Sequence, residues 1–311
     1  MARTAAVVVT YNSEDVITPC VEACLKALDQ VVVVDNASAD RTVDRARSLG
    51  VQVIANDENR GFAAAVNQGF RATDTELVLI MNPDVRITTS LEPLAAAALQ
   101  HGVAGGRLTD EQGRSQQGFT IRRFPTPTVL SLELLGLNRL WEKNPWNVKY
   151  RCLDRDLSVE GPADQPAGAF LMVRRDVWER LEGLDESFWP IWFEDVDFCR
   201  RAATAGFTIQ YVPETTAVHS GGHSIKKIDG SSRQLYWYDS LLRYAGKHFR
   251  PGEYWILALA GAFGALPRSF IGMAVGMIQE RSFRPVSSGL RTLKFVGRRL
   301  VTRPPSGPVK I

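Results

Sequence analysis

Val31-Val32-Val33-Val34-Asp35-Asn36-Ala37-Ser38-Ala39-Asp40 joins a continuous β-branched run to a cluster of turn-forming polar residues. That junction decides the fold. A run with no polar alternation suits a strand buried on both faces, as in a parallel sheet. Ala5 to Thr10, Val51 to Ala55 and Leu77 to Met81 have the same character. Amphipathic stretches with start and stop signals lie between them: Asn12 or Ser13 can cap a helix running toward Leu28, while Asp40 starts and Gly50 ends the next. Strand and helix alternating in this way predict an α/β fold with crossover helices and a mostly parallel central sheet.

Moving outward, the pattern weakens from Leu108 to about Gln165, where Pro125, Pro127, Pro145, Pro162 and Pro166 occur with Trp141 and Trp146. A long connection with a helix over Leu130 to Trp141 is expected, of the kind that becomes a substrate lid or acceptor loop. A strand follows over Gly168 to Val173. A helix is expected from Glu194 to Ala205, with Val196, Cys199 and Ala203 as its inner stripe and Gly206 as its cap. Ile209 to Val212 reads as a strand, followed by a turn that leads to Val218-His219-Ser220-Gly221-Gly222-His223. Near the end, Tyr254 to Pro267 and Ser269 to Gln279 are apolar and separated by Arg268. Each falls short of the ~20 residues that span a bilayer. They suit two short helices lying on a membrane, or a helical hairpin packed on the core or on a second subunit as a homodimer. From Arg281 to Ile311 there are eight Lys/Arg and no acid, which suggests an anionic partner: lipid headgroups or a phosphorylated substrate.

With 311 residues, 45% hydrophobic and 23% charged, the chain can bury a substantial core; its net charge is only +3. Cys20, Cys24, Cys152 and Cys199 form no C-x-x-C pair, so reduced, buried thiols in a cytosolic protein are expected. No secretory signal pattern opens the chain. There is no G-x-G, no G-K-[ST], no H-E-x-x-H and no G-x-S-x-G, which removes the usual dinucleotide, phosphate-loop, zincin and hydrolase readings. Nucleic acid is not an expected partner.

What remains is a series of acids and amides at strand ends, where open α/β sheets place their ligands. Asp35 follows its strand directly, and a carboxylate there can accept the imide N–H of uracil or thymine; a plain turn is the alternative. In Met81-Asn82-Pro83-Asp84 two oxygen-bearing side chains stand two residues apart, so both can face one hard cation carrying substrate phosphates. Glu194, Asp195 and Asp197 follow the aromatic run Phe188 to Phe193. A carboxylate against aromatic walls suits a general base, although acids at a helix start also answer its dipole. His219 can complete a cation site held mainly by oxygens.

In this order the segments resemble the family-2 group of GT-A-fold glycosyltransferases. Val8-Val9-Thr10-Tyr11-Asn12 resembles the opening strand, Val33 to Thr42 the nucleotide-base segment, and Asn59-Arg60-Gly61-Phe62-Ala63-Ala64-Ala65-Val66-Asn67 the stretch lining the donor site. Asn82-Pro83-Asp84 stands where that family has D-x-D, and Phe193 to Asp197 resembles the element supplying the base. The likeness covers roughly residues 5 to 225. It is strongest to bacterial rhamnosyltransferases that act on N-acetylglucosaminyl diphosphate polyprenol. The resemblance implies a Rossmann-like nucleotide-binding fold with a C-terminal helical extension: a nucleotide-sugar half (1–107), an acceptor and catalytic half (108–225) and a membrane-associating region (226–311). It implies a donor site of Thr10, Tyr11, Asn12, Asp35, Asn36, Ser38, Asn59, Gly61, Phe62, Asn67 and Asn82. Mg²⁺ or Mn²⁺ would sit on Asp84 and His219, Asp195 would be the base, and Glu194, Asp197, Trp192 and Gly168 would serve the acceptor or support the site. The nucleotide-sugar donor would be dTDP-L-rhamnose, the acceptor a polyprenyl diphosphate-linked sugar, and the location cytoplasmic, peripheral on the inner face of the cell membrane. Asn82 departs from the first Asp of D-x-D, which lowers the charge and leaves Asp84 as chief ligand. Another UDP- or dTDP-sugar donor, such as galactose or N-acetylglucosamine, and a non-catalytic nucleotide-binding module are the alternatives.

Overall fold

The computed structural model describes residues 2–221 and 230–279, with Lys294 and Gly297. His223 and the basic tail, apart from Lys294 within it, lie outside the described residues. The first half runs β1 (Thr4–Thr10), α1 (Ile17–Ala27), β2 (Gln30–Asp35), α2 (Thr42–Ser48), β3 (Gln52–Ala55), α3 (Phe62–Arg71), β4 (Leu77–Met81), β5 (Val85–Ile87), α4 (Glu92–His101) and β6 (Gly102–Thr109). After it come β7 (Ile121–Arg122), α5 (Pro127–Leu134), α6 (Leu137–Leu140), α7 (Pro145–Tyr150), β8 (Gly161–Pro162), β9 (Gln165–Pro166), β10 (Phe170–Arg174), α8 (Arg175–Arg180), α9 (Glu194–Thr204) and β11 (Thr208–His219). Two long helices close the described chain, α10 (Gly230–His248) and α11 (Pro251–Gln279).

The main sheet has the order β3-β2-β1-β4-β10-β6-β11-β5, with β8 added on β11. Parallel pairing joins β3, β2, β1 and β4, with Val8 opposite both Val33 and Met81. One face packs Val8, Val33, Leu79 and Met172 under α1 and α4; the other packs Val7, Val32, Ile80 and Leu171 under α3, α8 and α9. This two-sided burial explains the continuous apolar runs, each Val or Leu contributing ~1.5–3 kcal/mol. On the second face the Phe70 and Trp178 rings stack at 3.7 Å. The sheet is nevertheless mixed. β10 runs antiparallel to both β4 and β6, and β5 antiparallel to β11, so the start of β10 lies beside the ends of its parallel neighbours.

Several expectations change. Helix α1 begins at Ile17, not beside Asn12 or Ser13, because Asn12 adopts a left-handed φ of 50° and its Oδ1 accepts the Ala39 N–H at 2.8 Å. Asp40 and Gly50 bracket α2 as expected: Asp40 accepts the Thr42 N–H at 3.0 Å, and Gly50 has φ 74°. The helix expected over Leu130 to Trp141 is two, broken at left-handed Gly136, with Thr126 capping the first. On α9 Ala202 is buried and Ala203 exposed, since the inner stripe steps by three after Cys199. No turn ends the strand at Val212; β11 continues through an irregularity between Val212 and Thr216 to His219. Nor does Arg268 divide the last apolar segment, because α11 is continuous and the hairpin bend lies at Phe249–Arg250 instead.

Tyr254, Leu257 and Ala258 on α11 pack with Leu130 and Leu134 of α5 and Tyr238, Leu241 and Leu242 of α10. Gly264 passes so near Leu134 that a Cβ would lie 2.0 Å from its carbonyl oxygen. Ile256, Leu259 and Phe263 face outward. No described helix is long and apolar enough to cross a membrane. All four cysteines are buried and unpaired.

Candidate active site

The ends of β1, β2, β4, β6 and β11 and the start of β10 share one edge of the sheet, and the expected site residues collect there. At the β1–β2 end, Asp35 is 1% exposed. Its Oδ1 accepts the hydroxyls of Thr10 at 2.7 Å and Ser38 at 2.5 Å, and its Oδ2 accepts the Ser38 N–H at 2.8 Å. These bonds fold the 35–38 turn around the carboxylate, which retains acceptor capacity at Oδ2. The Asn12 N–H donates to Ser38 Oγ at 2.7 Å, which ties the Tyr11–Asn12 loop to that turn. Asn36 Nδ2 donates to the Gly61 carbonyl at 3.1 Å, and Asn59 Oδ1 accepts the Gly61 N–H at 2.9 Å. Gly61 is required there: its φ is 87°, and a Cβ would lie 2.8 Å from the Trp189 ring. The next residue, Phe62, donates its N–H to the Pro190 carbonyl at 2.8 Å and lines the cleft beyond.

Asn67 does not join that wall. Its Oδ1 accepts the Leu184 N–H at 3.0 Å, and its Nδ2 donates to the Leu184 carbonyl and Glu186 Oε1, both at 2.9 Å. The amide is a buried clamp between α3 and the 184–186 loop, which corrects its expected place in the donor site.

At the next strand end, the Asn82 N–H donates to the Ala169 carbonyl at 3.2 Å and so locks the start of β10 to the 82–84 turn. Asp84 and His219 are buried together, with His219 Nε2 3.6 Å from Asp84 Oδ1. His219 Nδ1 bonds Gln116 Oε1 at 2.8 Å, whereas Nε2 has no hydrogen-bond partner. Burial pushes the His219 pKa down against the opposing pull of Asp84, so the ring is neutral near pH 7. An imidazole lone pair facing a carboxylate oxygen in a buried setting fits a cation. Among the described residues no third His, Cys, Asp or Glu joins them. The pair suits Mg²⁺ or Mn²⁺ that takes its other ligands from phosphate and water.

Across β10 lies a cavity of about 310 Å³ lined by Phe62, Asn82, Arg122, Gln165, Gly168 and Asp195, with Trp192, Phe193, Leu130 and Trp237 as its apolar walls. Asp195 Oδ2 accepts the Gly168 N–H at 3.0 Å, and its Oδ1 accepts the Val196 N–H at 2.8 Å. A Cβ at Gly168 would lie 2.8 Å from Asp195 Cβ, so only glycine lets the carboxylate stand there. Burial raises the Asp195 pKa, and the two N–H donors oppose it. Trp192 and Phe193 enter α9 with φ of 81° and 68°, a strained approach that turns the helix start toward the cavity. Glu194 is 4% exposed, and its Oε2 has no hydrogen-bond partner. Burial, then the adjacent Asp195 charge, raise its pKa well above the ordinary value, which favours the protonated form.

Asp197 faces the other way. It is fully buried, bonded to Arg201 Nε at 2.7 Å, His248 Nε2 at 2.7 Å and Lys247 Nζ at 2.8 Å. Burial alone would raise its pKa, but His248, Arg201 and Lys247 bring it to about 2. Its work is to tie α9 to α10, a supporting role without contact to the cavity. Sequence reasoning missed Gln116, Arg122 and Gln165. Gln165 Oε1 is a second buried atom without a partner on the wall of this cavity. Nothing in the spacing around these three marks them, because they lie in the proline-interrupted connection and reach the site only through β7, β9 and the turn after β6.

A family model described as Glycosyl transferase family 2 matches residues 5–181, and one described as the N-terminal domain of galactosyltransferase matches residues 150–223. The N-acetylglucosaminyl-diphospho-decaprenol L-rhamnosyltransferase of Mycobacterium tuberculosis is 28% identical over 235 residues, 70% of this chain and 75% of that protein. Rhamnosyltransferase WbbL of Escherichia coli is 24% identical over 197 residues, 61% of this chain and 69% of its own length. Among solved structures, the mannosyltransferase PcManGT of Pyrobaculum calidifontis, in complex with GDP-Man and Mn²⁺, aligns with a TM-score of 0.53 at 16% identity over 96% of this chain and 87% of its own. That likeness concerns the fold alone.

Proposed function

This chain belongs to glycosyl transferase family 2 and has the GT-A fold, and on that premise we propose that it is an inverting enzyme moving L-rhamnose from dTDP-L-rhamnose to a polyprenyl diphosphate-linked sugar in cell-wall or polysaccharide assembly. The observation that carries the reading is the Asp195 carboxylate, fixed by the Gly168 N–H on an aromatic-walled cavity that Asn82 also lines. The two rhamnosyltransferase relatives supply the donor sugar and, through the mycobacterial protein, the diphosphate lipid acceptor.

In the proposed reaction Asp195 removes the proton from an acceptor hydroxyl, whose oxygen forms a bond to the anomeric carbon of the donor while the bond to the diphosphate breaks. Attack comes from the face opposite the leaving group, so the configuration inverts. Burial raises the basicity of Asp195, and the raised pKa of Glu194 beside it disfavours a second negative charge there. Asp84 and His219 would hold Mg²⁺ or Mn²⁺, which supplies charge neutralisation for the departing diphosphate. Asp35 would accept the imide N–H of the pyrimidine, with Thr10, Tyr11, Asn12, Asn36, Ser38, Asn59, Gly61 and Phe62 shaping the surrounding loops. Residues 1–107 would form the nucleotide half, 108–225 the acceptor half and 226–311 the membrane-associating region. The outward Ile256, Leu259 and Phe263 and the basic tail support contact with the inner face of the cytoplasmic membrane.

A hexosyl donor such as UDP-galactose is the second reading, favoured by the galactosyltransferase model over residues 150–223. The separating experiment incubates the enzyme with a panel of nucleotide sugars and a synthetic N-acetylglucosaminyl diphosphate polyprenol, with Mn²⁺ or EDTA. Metal-dependent release of dTDP from dTDP-L-rhamnose is expected; preferred turnover of UDP-galactose would replace the rhamnose reading.

A further inference from the structure

Gln116 lies in the turn that follows β6, and nothing in its sequence neighbourhood marks it for function. Its backbone is nevertheless pinned: the Gln116 N–H donates to the Leu108 carbonyl at 2.9 Å, and Thr109 bridges to Ser115 beside it. From that fixed point the side-chain amide grips one residue twice. Gln116 Nε2 donates to the His219 carbonyl at 2.7 Å, and Gln116 Oε1 bonds His219 Nδ1 at 2.8 Å. The first bond assigns the second. With the amide nitrogen committed to a carbonyl, the atom facing the ring is the amide oxygen, which only accepts. A ring proton must therefore sit on Nδ1, and in the neutral imidazole Nε2 then turns its lone pair toward Asp84 Oδ1, 3.6 Å away. The Phe119 ring lies at 5.0 Å from His219 and 18° from parallel, covering the ring.

We infer that Gln116 is a positioning residue for the divalent cation: its amide selects the His219 tautomer and locks the ring so that Nε2 and Asp84 present a ready-made pair of ligands. The inference rests on the reading that Asp84 and His219 hold the metal. Its physical point is that no third His, Cys, Asp or Glu joins Asp84 and His219 among the described residues, so orientation counts for more than in a site with three or four such ligands. In an unclamped imidazole either nitrogen can carry the proton, and an Nε2–H tautomer would point a donor at the cation. Partners behind a ligating histidine characteristically change metal affinity by about 10–100-fold when removed. With Asn82 in place of a carboxylate, little charge remains to compensate a misdirected ring.

The test has two arms. In the first, ¹⁵N-histidine NMR of the metal-free wild-type protein reads the ring directly; the chain has four histidines, and a His219→Ala spectrum assigns the signal. An Nδ1–H, Nε2-lone-pair pattern is expected for His219, and an Nε2–H pattern would overturn the inference without any variant at Gln116. In the second arm, Mn²⁺ alone is titrated into the full-length protein and free Mn²⁺ is followed by EPR. Gln116→Leu should weaken Mn²⁺ by about 10–100-fold, while Gln116→Glu, which keeps an acceptor for the Nδ1–H but loses the donor to the His219 carbonyl, should weaken it less than Gln116→Leu does. If His219→Ala weakens Mn²⁺ but Gln116→Leu does not, the Gln116 inference fails and the metal reading stands. If His219→Ala binds Mn²⁺ as tightly as wild type, the metal reading fails and takes the inference with it.

Discussion

The two sides of the cleft treat their polar groups in opposite ways. On the β1–β2 side Asp35, Asn36, Asn12 and Asn59 are engaged with one another's loops, and each hydrogen bond fixes a turn. Across β10, polar groups are left incomplete: Glu194 Oε2 and Gln165 Oε1 on the cavity and His219 Nε2 beside Asp84 are buried without a hydrogen-bond partner, and Asp195 is held by two backbone N–H groups. Gln30 Oε1, at the start of β2, is also such an atom and lies away from both sides. A buried polar atom without a partner costs about 1–3 kcal/mol. On the proposed function, the contrast teaches that the first side is a finished mould for the donor, whereas the second keeps unsatisfied chemistry for groups that arrive with the substrates.

Substitutions on the two sides should therefore differ in kind. Asp195→Asn gives the largest effect: a fall in kcat of about 10²–10⁴-fold with donor binding intact. Transfer at near wild-type rate would break the assignment of the base. Gly168→Ala should cost about 100-fold in kcat, because the new methyl must push the carboxylate out of line. Steady-state kinetics with the synthetic acceptor checks it, and an unchanged kcat would mean that the close approach is immaterial. Asp35→Asn, on the finished side, should raise the donor KM by about tenfold, the value of one charge-assisted hydrogen bond, and move kcat little. Glu194→Gln should alter turnover least and show itself in stability. Because burial raises the Glu194 pKa, its protonated form adds stability in full below the ordinary carboxyl range, and that contribution is lost as pH rises through the folded value. The variant's Tm should gain on wild type as pH increases from about 4.5, the ordinary Glu value; a pH-independent difference would contradict the protonated state.

The finished side was also the legible one. Val31 to Val34 and Leu77 to Met81 announce buried parallel strands because both faces of each are covered. The polar residues that follow are turn formers doing turn work. Local patterns reveal β10 as a strand but not its direction, since it enters the sheet antiparallel with an apolar run like that of its parallel neighbours. Asp195 was findable from its aromatic approach, and the resemblance named Gly168 as acceptor or support; that the Gly168 N–H holds the Asp195 carboxylate was not legible, since the contact spans 27 residues. Asn67 shows the limit of reading by resemblance: the resemblance put its stretch on the donor site, but α3 turns its side chain inward to Leu184. Gln116 and Gln165 lie where prolines erase periodicity, and only folding brings them to the edge that matters.

A single displacement at the Asp195 cavity has one outcome that no binding or stability experiment can imitate, the anomeric configuration of the first product. ¹H NMR of the product from one donor of known configuration and the synthetic diphosphate acceptor measures it. An anomeric centre opposite to that of the donor is predicted; a product that keeps the donor's configuration would contradict in-line attack by a hydroxyl deprotonated at Asp195.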